Sequence, residues 1–220
     1  MMNWNLLLES WPLFWHGTIV TIKIAYFSCL IGVILGTILA LLQTSKVTLF
    51  EWIVKIYVTI IRGTPMIIQI FFMYYVLFNF VFPGHPPIYA AILAIGFNSA
   101  AYVSQVIRSG INSVNTGQLE AARVMGLTKT QTIRFVILPQ AIRVALPALG
   151  NEFATLIKDS SLAAFIGVTE LFMAGKDLIT VTYDPLPSYI ALGIIYLILT
   201  SIASLFVNVT ERRMSTHVKD

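Results

Sequence analysis

Charge is scarce in this sequence. Only 11% of its 220 residues are Asp, Glu, Lys or Arg, where a soluble globular domain carries roughly 25%. Cysteine is scarcer still: Cys29 stands alone, which excludes an internal disulfide and gives no cysteine metal site. Its plainest reading is a small apolar filler in a helix. The three histidines, His16, His85 and His217, all fall outside the long apolar stretches. No His-based metal motif or nucleophile–base pair is therefore available for chemistry in an apolar medium, and catalytic and metal-binding residues are expected to be none. No G-x-x-x-x-G-K-[ST] occurs, so the chain has no phosphate cradle of its own. There is no internal repeat, low-complexity tract or domain boundary, and a single membrane domain over 1–220 is expected.

Apolar sequence is what remains. Hydrophobic residues make up 57% of the chain and the mean hydropathy is +0.83. A chain of one-domain size cannot bury that much apolar surface in its own core, so the rest must meet lipid or a partner. Crossing a bilayer takes about 20 mostly apolar residues as a helix. Five stretches qualify: Gly17 to Leu42, Pro65 to Phe82, Pro87 to Ile107, Pro139 to Ile157 and Ser188 to Asn208. The first is too long for a signal-peptide core and follows no Lys or Arg, so it is expected to stay in the membrane. The fold class is thus all-α, with five transmembrane helices.

Basic residues orient the bundle. Of the 14, eleven cluster on one side: Lys46, Lys55 and Arg62 between spans 1 and 2, Arg108, Arg123, Lys129, Arg134 and Arg143 around the loop between spans 3 and 4, and Arg212, Arg213 and Lys219 in the tail. Positive residues stay cytoplasmic, which predicts the N-terminus outside and the C-terminus inside. Net charge of +4 then reflects topology, and nucleic acid is not expected as a partner. Thr64-Pro65 reads as an N-cap and first helical residue for span 2. The preceding "EWIVKIYVTII" reads as an amphipathic elbow along the inner surface.

One cytoplasmic stretch, "QLEAARVMGLTKTQTIRFVILPQ" from Gln118 to Gln140, is polar, basic and capped. Asn115 or Thr116 can cap a helix with Gln118 and Glu120 in its first turn. Gly126 can end it in the left-handed conformation. Thr128 then caps a second helix with Gln131 at the capping-box position. Ala121, Ala122 and Gly126 keep the first helix slim, so that a partner's backbone can approach. Fixed to a span, such a helix can act as a lever.

The spacing resembles the E-A-A loop of ATP-binding-cassette importer permeases. Glu120-Ala121-Ala122 is followed, after three intervening residues, by Gly126 and, after nine more, by Val136-Ile137-Leu138-Pro139, with Val136 where isoleucine is usual. "RGTPMIIQ" and "NEFATLIKDSSLAAFIGVTEL" look like the polar amino-acid permeases that serve histidine, arginine, glutamine, glutamate and opine uptake. The resemblance implies the type I importer permease fold and a multi-pass location in the bacterial cytoplasmic membrane. It also implies a second permease copy (identical or a close paralogue), a cytoplasmic ATPase dimer, an extracytoplasmic solute-binding protein and an amino-acid substrate. ATP and Mg would sit on the ATPase, leaving this chain with no bound cofactor. By the same resemblance, Glu120, Ala121, Ala122 and Gly126 are the ATPase-coupling residues.

Ionisable groups within a bilayer are expensive and mark functional sites. Glu152 lies about 20 Å into span 4, and Asn98 and Ser99 about 17 Å into span 3, at 1.5 Å per residue. These depths suit a mid-membrane solute site. Asp159, Ser160 or Ser161 can cap a new short helix whose exposed N-terminus would take the solute's carboxylate, while Glu152 and Asp159 take its amino group or a cationic side chain. Gln69, one turn into span 2, can also face the path. Two acids favour a basic amino acid. Lys23 reads as snorkelling and Arg62 as an interfacial anchor. Gly32-x-x-x-Gly36 permits close helix packing. An ion-gradient-driven secondary transporter is the alternative, but those folds typically carry paired repeats, and the capped loop would lack a purpose there.

Overall fold

Lipid offers no hydrogen bonds, so a spanning backbone must satisfy itself. The computed structural model does so with helices alone among the residues it describes, 9–45 and 47–215; Lys46, His217 and Lys219 lie outside them. The helices are α1 (Trp11–Thr44), α2 (Thr48–Gly63), α3 (Met66–Val81), α4 (Pro87–Asn112), α5 (Thr116–Val124), α6 (Lys129–Ile166), α7 (Leu171–Thr182) and α8 (Pro185–Ser215). By length and composition, α1, α4, α6 and α8 can each cross a membrane, and α2 and α3, bent by 108° at their break, are long and apolar enough together to make a fifth crossing or a re-entrant loop.

That bend replaces the expected start of span 2. Thr64 does not cap α3: its hydroxyl donates back to the Ile60 carbonyl. Pro65, at φ −61° and ψ 137°, stands outside the helix as the cap residue. A residue before proline is driven to extended backbone, and Thr64 at φ −119° and ψ 145° obeys. The turn between α2 and α3 follows from that one steric rule.

α4 is the hub because its side chains are small. Ala90, Ala91, Ala94, Gly96, Ser99, Ala100 and Ala101 are all buried in it, which lets neighbouring backbones approach closely. α1 lies against α4 in parallel: the Ser28 hydroxyl donates to the Ile92 carbonyl at 3.1 Å, Gly32 faces Ser99, and Gly36 faces Val103. Gly32-x-x-x-Gly36 is therefore a contact within the chain. A Cβ at Gly32 would come within 2.5 Å of Ser99 Oγ. α6 runs antiparallel to α4, with Gly110 packed on the Ala141 carbonyl at one end. Ile24, Ile70, Ile95 and Leu156 form the core, while Ile34, Ile38, Leu197 and Phe206 face outward, as expected of a surface that meets acyl chains.

α6 is widened to a π-helix over Ile133–Ile137, just before Pro139. Proline cannot donate to the carbonyl four residues back, and its ring collides with it. The widened turn relieves that collision, and the Gln140 amide donates to the exposed Val136 carbonyl at 2.8 Å. At its far end α6 passes without interruption into a 3-10 turn, Ser160–Ile166, and stops only at Gly167, with φ +83°.

Candidate functional site

Two polar pairs meet where α3, α4 and α6 converge. Ser99 Oγ donates to Glu152 Oε1 at 2.9 Å, and Asn98 Nδ2 donates to Gln69 Oε1 at 2.8 Å. Adjacent residues on α4 thus hold two different helices. Glu152 is half-buried and keeps its second oxygen for another partner, whereas Ser99 is 1% exposed. Asp159 is also half-buried. It lies seven residues along from Glu152, two turns or about 10 Å on the same helical face. Lys158 is exposed and makes no ion pair among the described residues.

Gln69 is committed to the bend. The two N–H groups of its side-chain nitrogen are shared among the carbonyls of Ile61 (2.8 Å) and Thr64 (3.1 Å) and Thr64 Oγ1 (2.8 Å). The two carbonyls are backbone groups that the α2–α3 break leaves over, so Gln69, bonded in turn to Asn98, braces the break; it also lines a cavity beside α2, α3 and α4. Tyr57 assists by donating its hydroxyl to the Phe97 carbonyl on α4.

Ser160 also departs from expectation. It is fully buried, and its hydroxyl donates to the Ile157 carbonyl at 2.8 Å. Asp159 is helical and caps nothing. Because α6 flows straight into its 3-10 turn, no free helix N-terminus exists at residues 159–161 to receive a carboxylate.

The helix N-terminus that does exist belongs to α7, and Glu170 fills it. This carboxylate, 0% exposed, accepts the N–H groups of Phe172 and Met173 at 2.9 Å each. It also accepts the hydroxyls of Tyr196 at 3.0 Å and Thr21 at 3.3 Å. Thr21 Oγ1 accepts the Leu171 N–H in turn. α1, α7 and α8 are tied by one side chain. Sequence reasoning passed over Glu170; the available signal was an acid three residues beyond Gly167 and directly before an apolar helix.

At the opposite end of the bundle, beyond Asn112, α5 and the start of α6 form a hairpin. Asn115 Oδ1 accepts the Gly117 N–H at 2.8 Å and caps α5. Gly126 is left-handed at φ +76°. Thr128 and Gln131 complete a capping box, with bonds of 3.3 and 2.8 Å. The Leu127 N–H bonds back to the Ala122 carbonyl at 3.0 Å, and the Gln140 side chain donates to Gln118 across the hairpin. Glu120 and Ala121 are exposed, with Glu120 one residue beyond the first turn. Ala122 is 3% exposed and packs inside the hairpin. The free apolar surface lies instead at Val124 and Met125, 88% and 80% exposed. The residue-type pattern did not reveal them, because only the α5 register decides which side chains point away.

Comparison with known proteins fits this geometry. Residues 32–216 match the family described as binding-protein-dependent transport system inner membrane component. The chain is 38% identical over 220 residues to the probable amino-acid ABC transporter permease protein YckA of Bacillus subtilis, covering 99% of this chain and 96% of that one. It is 40% identical over 219 residues to the L-cystine transport system permease protein TcyB of the same organism, covering 98% and 92%. Among solved structures, the crystal structure of an amino acid ABC transporter with histidines superposes with a TM-score of 0.90 at 36% identity, covering 97% of this chain and 99% of that one. Several apolar crossings, an intramembrane carboxylate and a capped hairpin are thus features of a transport component, and this multi-pass protein of the bacterial plasma membrane belongs to the family of inner-membrane components of binding-protein-dependent transport systems.

Proposed function

We propose that this chain is the membrane subunit of an ATP-driven amino-acid importer, with its N-terminus outside and its C-terminus inside. It pairs with a second permease copy, receives solute from an extracytoplasmic binding protein and is driven by a cytoplasmic ATPase dimer that carries ATP and Mg. The α5–α6 hairpin is the observation that carries the reading. It is capped at every turn, stands outside the bundle and belongs to α6, the helix that also bears Glu152. The exposed face of Glu120 and Ala121, with Val124 and Met125 beside it, suits a groove on the ATPase. The left-handed Gly126 and the capping box keep the hairpin stiff, so a push on α5 reaches the base of α6.

Within the bundle, Glu152 and Asp159 are the solute contacts. Ser99 orients one Glu152 oxygen and leaves the other free, and two acids on one helical face suit the cationic end of a basic amino acid. Asn98 and Gln69 act at one remove by holding the α2–α3 break, and buried Ser160 holds the end of α6. Reconstitution of this chain with its ATPase and binding protein in proteoliposomes is the test. Uptake of arginine or lysine should need ATP on the ATPase side of the membrane, opposite the binding protein, and ignore an imposed ion gradient; gradient-driven uptake without ATP would reject the reading.

A further inference from the structure

A groove of about 680 Å³ runs between α1 and α4, away from Glu152 and the hairpin, and its lining includes Lys23, Phe27, Leu30, Ile34, Ile88 and Tyr89. Lys23, Phe27, Leu30 and Ile34 on α1 fall in one stripe about 16 Å long at 1.5 Å per residue. Lys23 is the only charged residue in the lining. It is exposed and, among the described residues, has no ion-pair partner.

The parallel register of α1 and α4 fixes the level of that cation. Ser28 bonds to the Ile92 carbonyl, so Lys23, five residues earlier, is level with Pro87, where α4 begins. One end of the groove therefore lies where the apolar stretch of α4 starts, at the level of headgroups, and carries an ammonium beside the exposed Tyr89. Tyrosine favours that level because its ring is apolar and its hydroxyl polar. The other end descends along Phe27, Leu30 and Ile34 with no charge to interrupt it. A positive, hydrogen-bonding mouth on a long apolar trough is complementary to one molecule type: an anionic phospholipid, with its phosphate on Lys23 and an acyl chain along α1.

We infer that this groove is a retention site for a single anionic phospholipid. A lysine that merely snorkels to water would hold no particular lipid, and a trough without the lysine would not distinguish headgroups. The site thus differs from the general lipid-facing surface by headgroup selectivity, and it involves neither solute nor ATPase contacts.

The assembled transporter, placed in nanodiscs of equal phosphatidylglycerol and phosphatidylcholine, is released into native mass spectrometry and its bound lipids are counted. Wild-type protein should retain phosphatidylglycerol in preference to phosphatidylcholine. Lys23→Gln should lower that retention by about fivefold, the worth of one cation near an anionic headgroup, and Lys23→Arg should restore it. Ile34→Trp, which fills the trough from an exposed position, should also lower it, whereas Lys176→Gln, an exposed lysine on α7, should not. Equal phosphatidylglycerol retention by wild type and Lys23→Gln would overturn the site. So would a disulfide between Phe27→Cys copies in the Cys29→Ala background, which would show a second permease on this face.

Discussion

Ser99 on α4 donates a 2.9 Å hydrogen bond to Glu152 on α6, joining residues 53 apart in sequence. The serine is 1% exposed, and the carboxylate it holds is the half-buried acid near the middle of α6, the helix that begins in the hairpin. In the proposed function, solute site and lever therefore share one helix. Glu152→Gln keeps an oxygen for Ser99 but removes the charge. Loss of a hydrogen bond to a charged group amounts to roughly 1.5–3 kcal/mol, so uptake of a basic amino acid should fall by about 10- to 100-fold in kcat/KM, with ATPase assembly intact. Radiolabelled uptake in proteoliposomes measures it, and unchanged kinetics would remove Glu152 from the solute path.

Glu170 lies in the half of the bundle away from the hairpin and bonds to no candidate solute residue. Its carboxylate gathers four donors from α1, α7 and α8. Glu170→Ala leaves two α7 amides and two hydroxyls without their acceptor in a dry site. Leaving a buried donor without its acceptor costs about 1–3 kcal/mol, and four are affected here. The expected result is a much lower unfolding temperature in detergent, measured by tryptophan fluorescence. A variant as stable as the wild type would mean that water or lipid headgroups replace the carboxylate.

Gly32 leaves room for Ser99. An added methyl would sit 2.5 Å from Ser99 Oγ and 2.8 Å from its Cβ, closer than packed atoms tolerate. Overpacking costs typically about 1–3 kcal/mol, and here the neighbour that must move is the donor to Glu152. Gly32→Ala should therefore lower both stability and solute affinity, whereas Gly193→Ala on α8, where an added Cβ meets nothing within 4 Å, should change neither. Thermal unfolding and uptake on the same preparations distinguish the two positions.

These sites were unevenly legible in the sequence. Local chemistry could be read directly: the caps of the hairpin need only Asn115, Gly126, Thr128 and Gln131 in order, and all form as their residue types dictate. Apolar length marked the crossings for the same reason. Relations between distant helices were not readable. That Gln69 bonds across the bend to Ile61 and Thr64 needed the fold, and the expected cap at residues 159–161 vanished because the helix continues to Gly167. Ala122 turned inward and Val124 and Met125 outward because helix register, not composition, sets exposure. Glu170 is the clearest case. Its donors come from positions 149 residues before and 26 residues after it, and no local pattern joins them.

The central claim is that the α5 hairpin faces the cytoplasm and is gripped by the ATPase. Val124→Cys in a Cys29→Ala background puts one thiol on its most exposed apolar position, and a membrane-impermeant maleimide reports which side it occupies. The account predicts no labelling in intact cells, labelling in inside-out vesicles stripped of the ATPase, and protection when the ATPase is restored. Labelling in intact cells, or labelling in vesicles that the bound ATPase does not reduce, would contradict it.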